Sequence, residues 1–116
     1  MSDSLAIFRN LATEASGSFF YFAVDVDVEK SKDVKQVTDL LNNICTDLET
    51  VVKNAQDIYL HPRESLNNIG IQYSLLTTLL PDNIMQSKYC AIHMTTFKDT
   101  FEAMREFGQV ATVVPK

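Results

Sequence analysis

The chain has 116 residues, of which 46% are hydrophobic and 22% are charged, and its formal net charge is −5. This size fits one domain over 1–116, and the composition is that of a folded globular protein. The acidic balance and the scattered lysines and arginines argue against a nucleic acid or an anionic membrane as partner. No apolar run approaches the roughly 20 residues of a membrane helix, and no signal-peptide pattern opens the chain, so we expect a cytoplasmic protein.

The first quarter of the chain divides into two patterns. Residues 4–16 have helical spacing, with Leu5 and Phe8 on one face, and Gly17 is placed to end that helix. Residues 19–28 instead alternate and are rich in aromatic and β-branched side chains, which predicts a strand. The residues expected on its covered side are Phe20, Phe22, Val24, Val26 and Val28.

The middle of the chain carries the strongest signal, an apolar seam with spacings of three and four. Asp33 and Gln36 suit the start of a helix, and we expect a single helix over about 33–60. We expect such a seam to be longer than one small chain can cover, which is the sequence argument for a partner subunit. The residues of the apolar seam are Val34, Val37, Leu41, Ile44, Leu48, Val51, Ala55 and Ile58.

A second helix is predicted over 62–80, because Pro62 suits a first helical position and the apolar spacing resumes. The short connection favours an antiparallel helical hairpin, and Gly70 suggests a close helix contact. Residues 83–94 fit either a strand or a helix. A last helix is expected over about 95–107, ended by Gly108, with a core face of Phe97, Phe101, Met104 and Phe107.

The β-prone segment 110–114 is expected to pair with 19–28 in a small sheet. The predicted fold class is therefore α+β and helix-dominated, with the hairpin at its centre.

Two sets of residues have the types that bind metals, and neither predicts a site. Asp25, Asp27 and Glu29 alternate, but an EF-hand loop needs glycine where Lys30 stands, so a solvated strand face is the better interpretation. Cys90 and His93 are spaced for two zinc ligands. The remaining candidates, Cys45 and His61, would lie roughly 24 Å apart along one helix, too far to complete that site.

No glycine-rich phosphate loop or nucleophile elbow occurs, so the sequence predicts no enzyme, catalytic residue, cofactor or metal. The function that we expect is that of a small acidic protein-interaction module, of inhibitor, immunity, antitoxin, chaperone or adaptor type. We expect it to act as a homodimer, with a basic protein as a further candidate partner.

Two alternatives stay open. One is a small-molecule binder or small enzyme with a site between the sheet and the last helix, and the other is a subunit of a larger assembly such as a phage particle. The polar residues of the small-molecule alternative would be Tyr21, Tyr89, His93, Asp25 and Asp27.

Overall fold

The computed structural model describes residues 2–60, 62–80 and 88–113, with side chains for 4–60, 64–80 and 88–107. Every element in these ranges is helical, and no strand occurs among them, so the predicted α+β class with a small sheet is wrong. The elements are α1 (Ser2–Asp25), a 3-10 turn (Val28–Lys30), α2 (Val34–Lys53), α3 (Ala55–Leu60), α4 (Pro62–Leu79) and α5 (Lys88–Val113).

The segment predicted as a helix over 4–16 and a strand over 19–28 is one helix, α1, which continues through Gly17 to Asp25. Its apolar residues have helical spacing over the whole length, and this longer pattern prevails over the local alternation. Phe20 and Val24, expected on the covered side of a strand, are exposed. The buried residues are Phe8, Ala12, Ala15, Phe19, Phe22 and Val26.

Capping side chains fix the turn between α1 and α2. Asp27 accepts a hydrogen bond from the amide of Glu29 (3.2 Å) and begins the 3-10 turn. Asp33 accepts one from the amide of Gln36 (3.1 Å), which confirms the predicted start of the second helix. These carboxylates satisfy amides that have no partner within the first helical turn.

The predicted single helix over 33–60 is wrong in one respect, because it is interrupted at Asn54, between α2 and α3. Asn54 has φ −111° and ψ 36°, outside the helical region. Its amide still bonds to Thr50 O (2.9 Å), and its carbonyl accepts from the amide of Ile58 (3.0 Å). The break is therefore local, and Val51 and Ala55 on either side of it are both buried.

The four long segments form an antiparallel bundle in which neighbours in sequence are neighbours in space, and α1 and α5 close the ring. The predicted pairing of α2 with α4 is present, with Gln72 Nε2 donating to Asp47 Oδ2 (2.8 Å). The most extensive helix contact joins α1 to α5, where the rings of Phe19 and Phe97 lie 5.1 Å apart, edge to face. The bundle measures 49 × 23 × 20 Å.

Helix α5 is longer at both ends than the predicted 95–107. Residues 88–94, left open between strand and helix, are helical, whereas 83–87 lie outside the described residues. At the other end the backbone stays helical through Gly108 to Val113. The predicted strand over 110–114 is therefore wrong for 110–113, and residue 114 is outside the described range.

The apolar seam is covered by the chain's own helices, since α1 and α4 both pack on α2. Six of its eight residues are buried, Ile58 is partly buried, and Val34 is exposed. The seam thus needs no second subunit, and the homodimer prediction loses the argument on which it was based. The buried six are Val37, Leu41, Ile44, Leu48, Val51 and Ala55.

Lys32 joins the turn after α1 to the end of α4. Its amide donates to Leu79 O (3.0 Å), and its Nζ donates to Thr78 O (3.2 Å). Both acceptors are carbonyls of the last helical turn, where a cation is favourable. The connection 26–33 and the C-terminus of α4 therefore lie at the same end of the bundle, which we call the loop end.

We expect Leu48→Asp to destabilise the protein by at least about 3 kcal/mol, because it places an unpaired charge in the core. Leu48 is fully buried. Chemical denaturation followed by circular dichroism measures the change. Asn43→Asp, at an exposed position of α2, adds the same charge and should leave the free energy of unfolding nearly unchanged. Equal stability of Leu48→Asp and wild type would contradict this core.

We expect Gly17→Ala to stabilise the protein by about 1 kcal/mol, since alanine is the better residue inside a helix. A Cβ at Gly17 would meet nothing within 4 Å. At Gly70 a Cβ would lie 3.6 Å from Arg105 Nη1 and 3.7 Å from Phe101 Cε2, which is ordinary van der Waals contact. Gly70→Ala should therefore increase the free energy of unfolding by no more than Gly17→Ala does. If Gly17 ended a helix in the left-handed conformation, its alanine variant would instead be less stable, which thermal unfolding would reveal.

Candidate functional site

Exposed apolar side chains are concentrated at the loop end. Of the ten large ones among the described side chains, seven lie in the half of the bundle formed by the end of α1, the start of α2, the end of α4 and the start of α5. Ile7 and Leu60 belong to the opposite end, and Ile71 lies near the middle of α4, beside Arg105 of α5. Scattered exposed apolar residues are normal, whereas clustered ones make a surface a candidate for interaction. The seven are Phe20, Tyr21, Val24, Val34, Leu75, Tyr89 and Ile92.

Part of this cluster lies where α1 meets α5. The Tyr21 ring stacks on His93, with centroids 5.6 Å apart and an interplanar angle of 27°. His93 Nε2 lies 3.5 Å from Asp25 Oδ2. Tyr89 and Ile92 are within one helical turn of His93 and are 65% and 50% exposed. We refer to these five residues as the α1–α5 patch.

The structure thus brings together three residues proposed for a small-molecule site, namely Tyr21, Asp25 and His93, across two helices rather than beside a sheet. The expected sheet-lined site is wrong because there is no sheet among the described residues. Asp27 lies apart from the group, since it caps the 3-10 turn and approaches Lys30 Nζ at 3.9 Å.

The Asp25–His93 pair is partly exposed to solvent. Its two side chains are 40% and 27% exposed, so water screens their interaction, which contributes less than about 1 kcal/mol when His93 is protonated. The pair offers a hydrogen-bond acceptor and an imidazole at the edge of two exposed aromatic rings. Such a mixture of aromatic and polar groups is typical of protein interfaces.

The residues considered as metal ligands do not form a common site. Cys90 is buried in the core, whereas His93 lies at the surface between α1 and α5. Cys45 is on α2, and His61 is outside the described residues. Within the part of the chain that the structure describes, no three histidine, cysteine, aspartate or glutamate side chains are grouped closely enough to hold a metal ion.

A groove between α1 and α2 lies on the other side of α1 and has a volume of about 500 Å³. Its apolar surface comes from both helices and the turn between them, and its polar wall comes from α2. The sequence analysis missed it, because Phe20 and Val24 were assigned to a covered strand. The apolar lining is Phe20, Ala23, Val24, Val28, Leu41 and Cys45, and the polar lining is Thr38, Asn42, Thr46 and Glu49.

The thiol in this groove is not activated. Burial raises the pKa of Cys45 above its ordinary value, and the carboxylate of Glu49 one helical turn away raises the pKa further. Since the thiolate is the nucleophile, Cys45 is poorly reactive at neutral pH. The residue therefore contributes apolar surface to the groove rather than covalent chemistry.

No family model matches the chain, and no curated protein or solved structure is significantly similar to it. No helix in the described ranges is long and apolar enough to cross a bilayer.

We expect Glu49→Gln to accelerate alkylation of Cys45 by iodoacetamide at about pH 8, because loss of the negative charge lowers the thiol pKa and increases the thiolate fraction. Mass spectrometry resolves the peptide of Cys45 from that of the buried Cys90. Glu106→Gln, a matched change at an exposed position of α5, should not alter the rate. If Glu49→Gln left the alkylation rate of Cys45 unchanged, the charge of Glu49 would not be a cause of the raised thiol pKa.

Proposed function

We propose that the protein is a non-enzymatic protein-binding module of the cytoplasm that forms a homodimer through the α1–α5 patch. The observation that carries this proposal is the contact of Tyr21 and Asp25 on α1 with His93 on α5, with the exposed Tyr89 and Ile92 within about one turn of His93 on the same helix. The net charge of −5 disfavours association with an anionic membrane surface.

A second copy is the partner that suits the chemistry of this patch. In a two-fold dimer the same surface meets itself, so each acceptor must face a donor from the same set. The patch contains a carboxylate at Asp25, an imidazole at His93, two phenols, at Tyr21 and Tyr89, and the apolar side chain of Ile92. Donors, acceptors and apolar surface are therefore all present, as self-pairing requires.

Ile92→Glu should raise the dissociation constant of the dimer at least about tenfold, because it places a charge at an apolar position of the proposed interface. Ile7→Glu is the matched control, since Ile7 is 48% exposed against 50% for Ile92 but lies on α1 at the opposite end. Analytical ultracentrifugation over a concentration series measures both dissociation constants.

Both variants should retain the wild-type far-ultraviolet spectrum, since both positions are exposed. A wild-type protein that stays monomeric at several hundred micromolar would overturn the homodimer proposal. Equal weakening by Ile92→Glu and Ile7→Glu would place the interface elsewhere.

A further inference from the structure

We propose that the α1–α2 groove is a second binding site, which takes a basic amphipathic helix of another protein. This inference rests on the proposed function as a protein-binding module but not on the homodimer. The α1–α5 patch lies on one flank of α1, whereas the groove lies on the other, between α1 and α2.

The shape of the groove suits a helix. Its lining on α2 extends from Thr38 to Glu49, which corresponds to about 16 Å along the helix axis. That length accommodates about three turns of a bound helix, whose anchor side chains would recur every three or four residues. Phe20 and Val24 are each more than half exposed and form an apolar wall one turn apart.

The charge of the groove selects a basic occupant. Glu49 is the only carboxylate among the described lining residues, and no lysine or arginine is among them. Glu49 lies one helical turn from Cys45 on α2, and both residues line the groove. Since the whole chain carries a net charge of −5, an anionic helix would be repelled from the groove, and a cationic helix would be attracted to it.

The binding test uses a synthetic helical peptide of about 15 residues, with leucines at positions i, i+3, i+4 and i+7 and lysines flanking them. A second peptide has glutamate in place of each lysine. Fluorescence anisotropy with the full chain should give a dissociation constant at least about fivefold lower for the lysine peptide. Glu49→Lys should weaken binding of the lysine peptide and strengthen binding of the glutamate peptide. Glu106→Lys makes an equal change of net charge on α5 and should change neither dissociation constant by more than a small factor.

The location is tested by the alkylation rate of Cys45. The bound lysine peptide should slow iodoacetamide modification of Cys45 severalfold in wild type, because the thiol lies inside the groove. The proposal would be overturned if the lysine peptide did not bind, or if it bound without protecting Cys45. It would also be overturned if both peptides bound equally, or if Glu49→Lys and Glu106→Lys had equal effects on binding. Repeating the assay in Ile92→Glu separates this site from the homodimer, since protection of Cys45 does not depend on self-association.

Discussion

The packing of α1 against α5 is the interaction on which the rest of the structure depends. These helices are distant in sequence, and their contact closes the ring of four segments around one core. The centre of the contact is aromatic, with the Phe97 ring against Phe19 and Tyr73 and stacked on Phe101 at 5.4 Å. Because closing so long a loop costs entropy, a dense cluster of buried rings is needed to offset it.

Burial of one face of α1 also determines what remains outside. Once Phe19 and Phe22 face the core, helical geometry directs Phe20 and Val24 toward α2 and Tyr21 toward α5. The helix thus has more apolar surface than one bundle can cover. Both proposed binding sites are adjacent to this outward surface, one on each flank of α1.

Most helices could be predicted from the sequence, because α2 and α4 have regular apolar spacing and Asp33 marks a start. The strand over 19–28 was predicted wrongly, since aromatic and β-branched residues alternate there over a short window. The spacing of three and four from Phe8 to Val26 extends over the whole segment and would have indicated one helix. Gly17 obscured that pattern, because it was taken as a helix terminator.

The break at Asn54 and the candidate surfaces were less accessible to sequence reasoning. Asparagine favours caps and turns, but Asn42 and Asn43 lie inside α2, so residue type alone did not mark Asn54 as the break. Asp25 and His93 come together only because α1 packs against α5, and no local sequence pattern predicts that packing. Both residues could be named as candidates from their types, but the sheet that was expected to bring them together was wrong.

The up-and-down course of the bundle has a consequence for how the molecule could be joined to others. The chain enters α1 and leaves α5 on the side far from the Lys32 anchor, because those helices are antiparallel and Asp25 lies beside His93. A reporter or a further protein fused before Ser2 or after Val113 would project away from both candidate surfaces. The fold would therefore leave both candidate surfaces accessible when it is carried as a module between other domains.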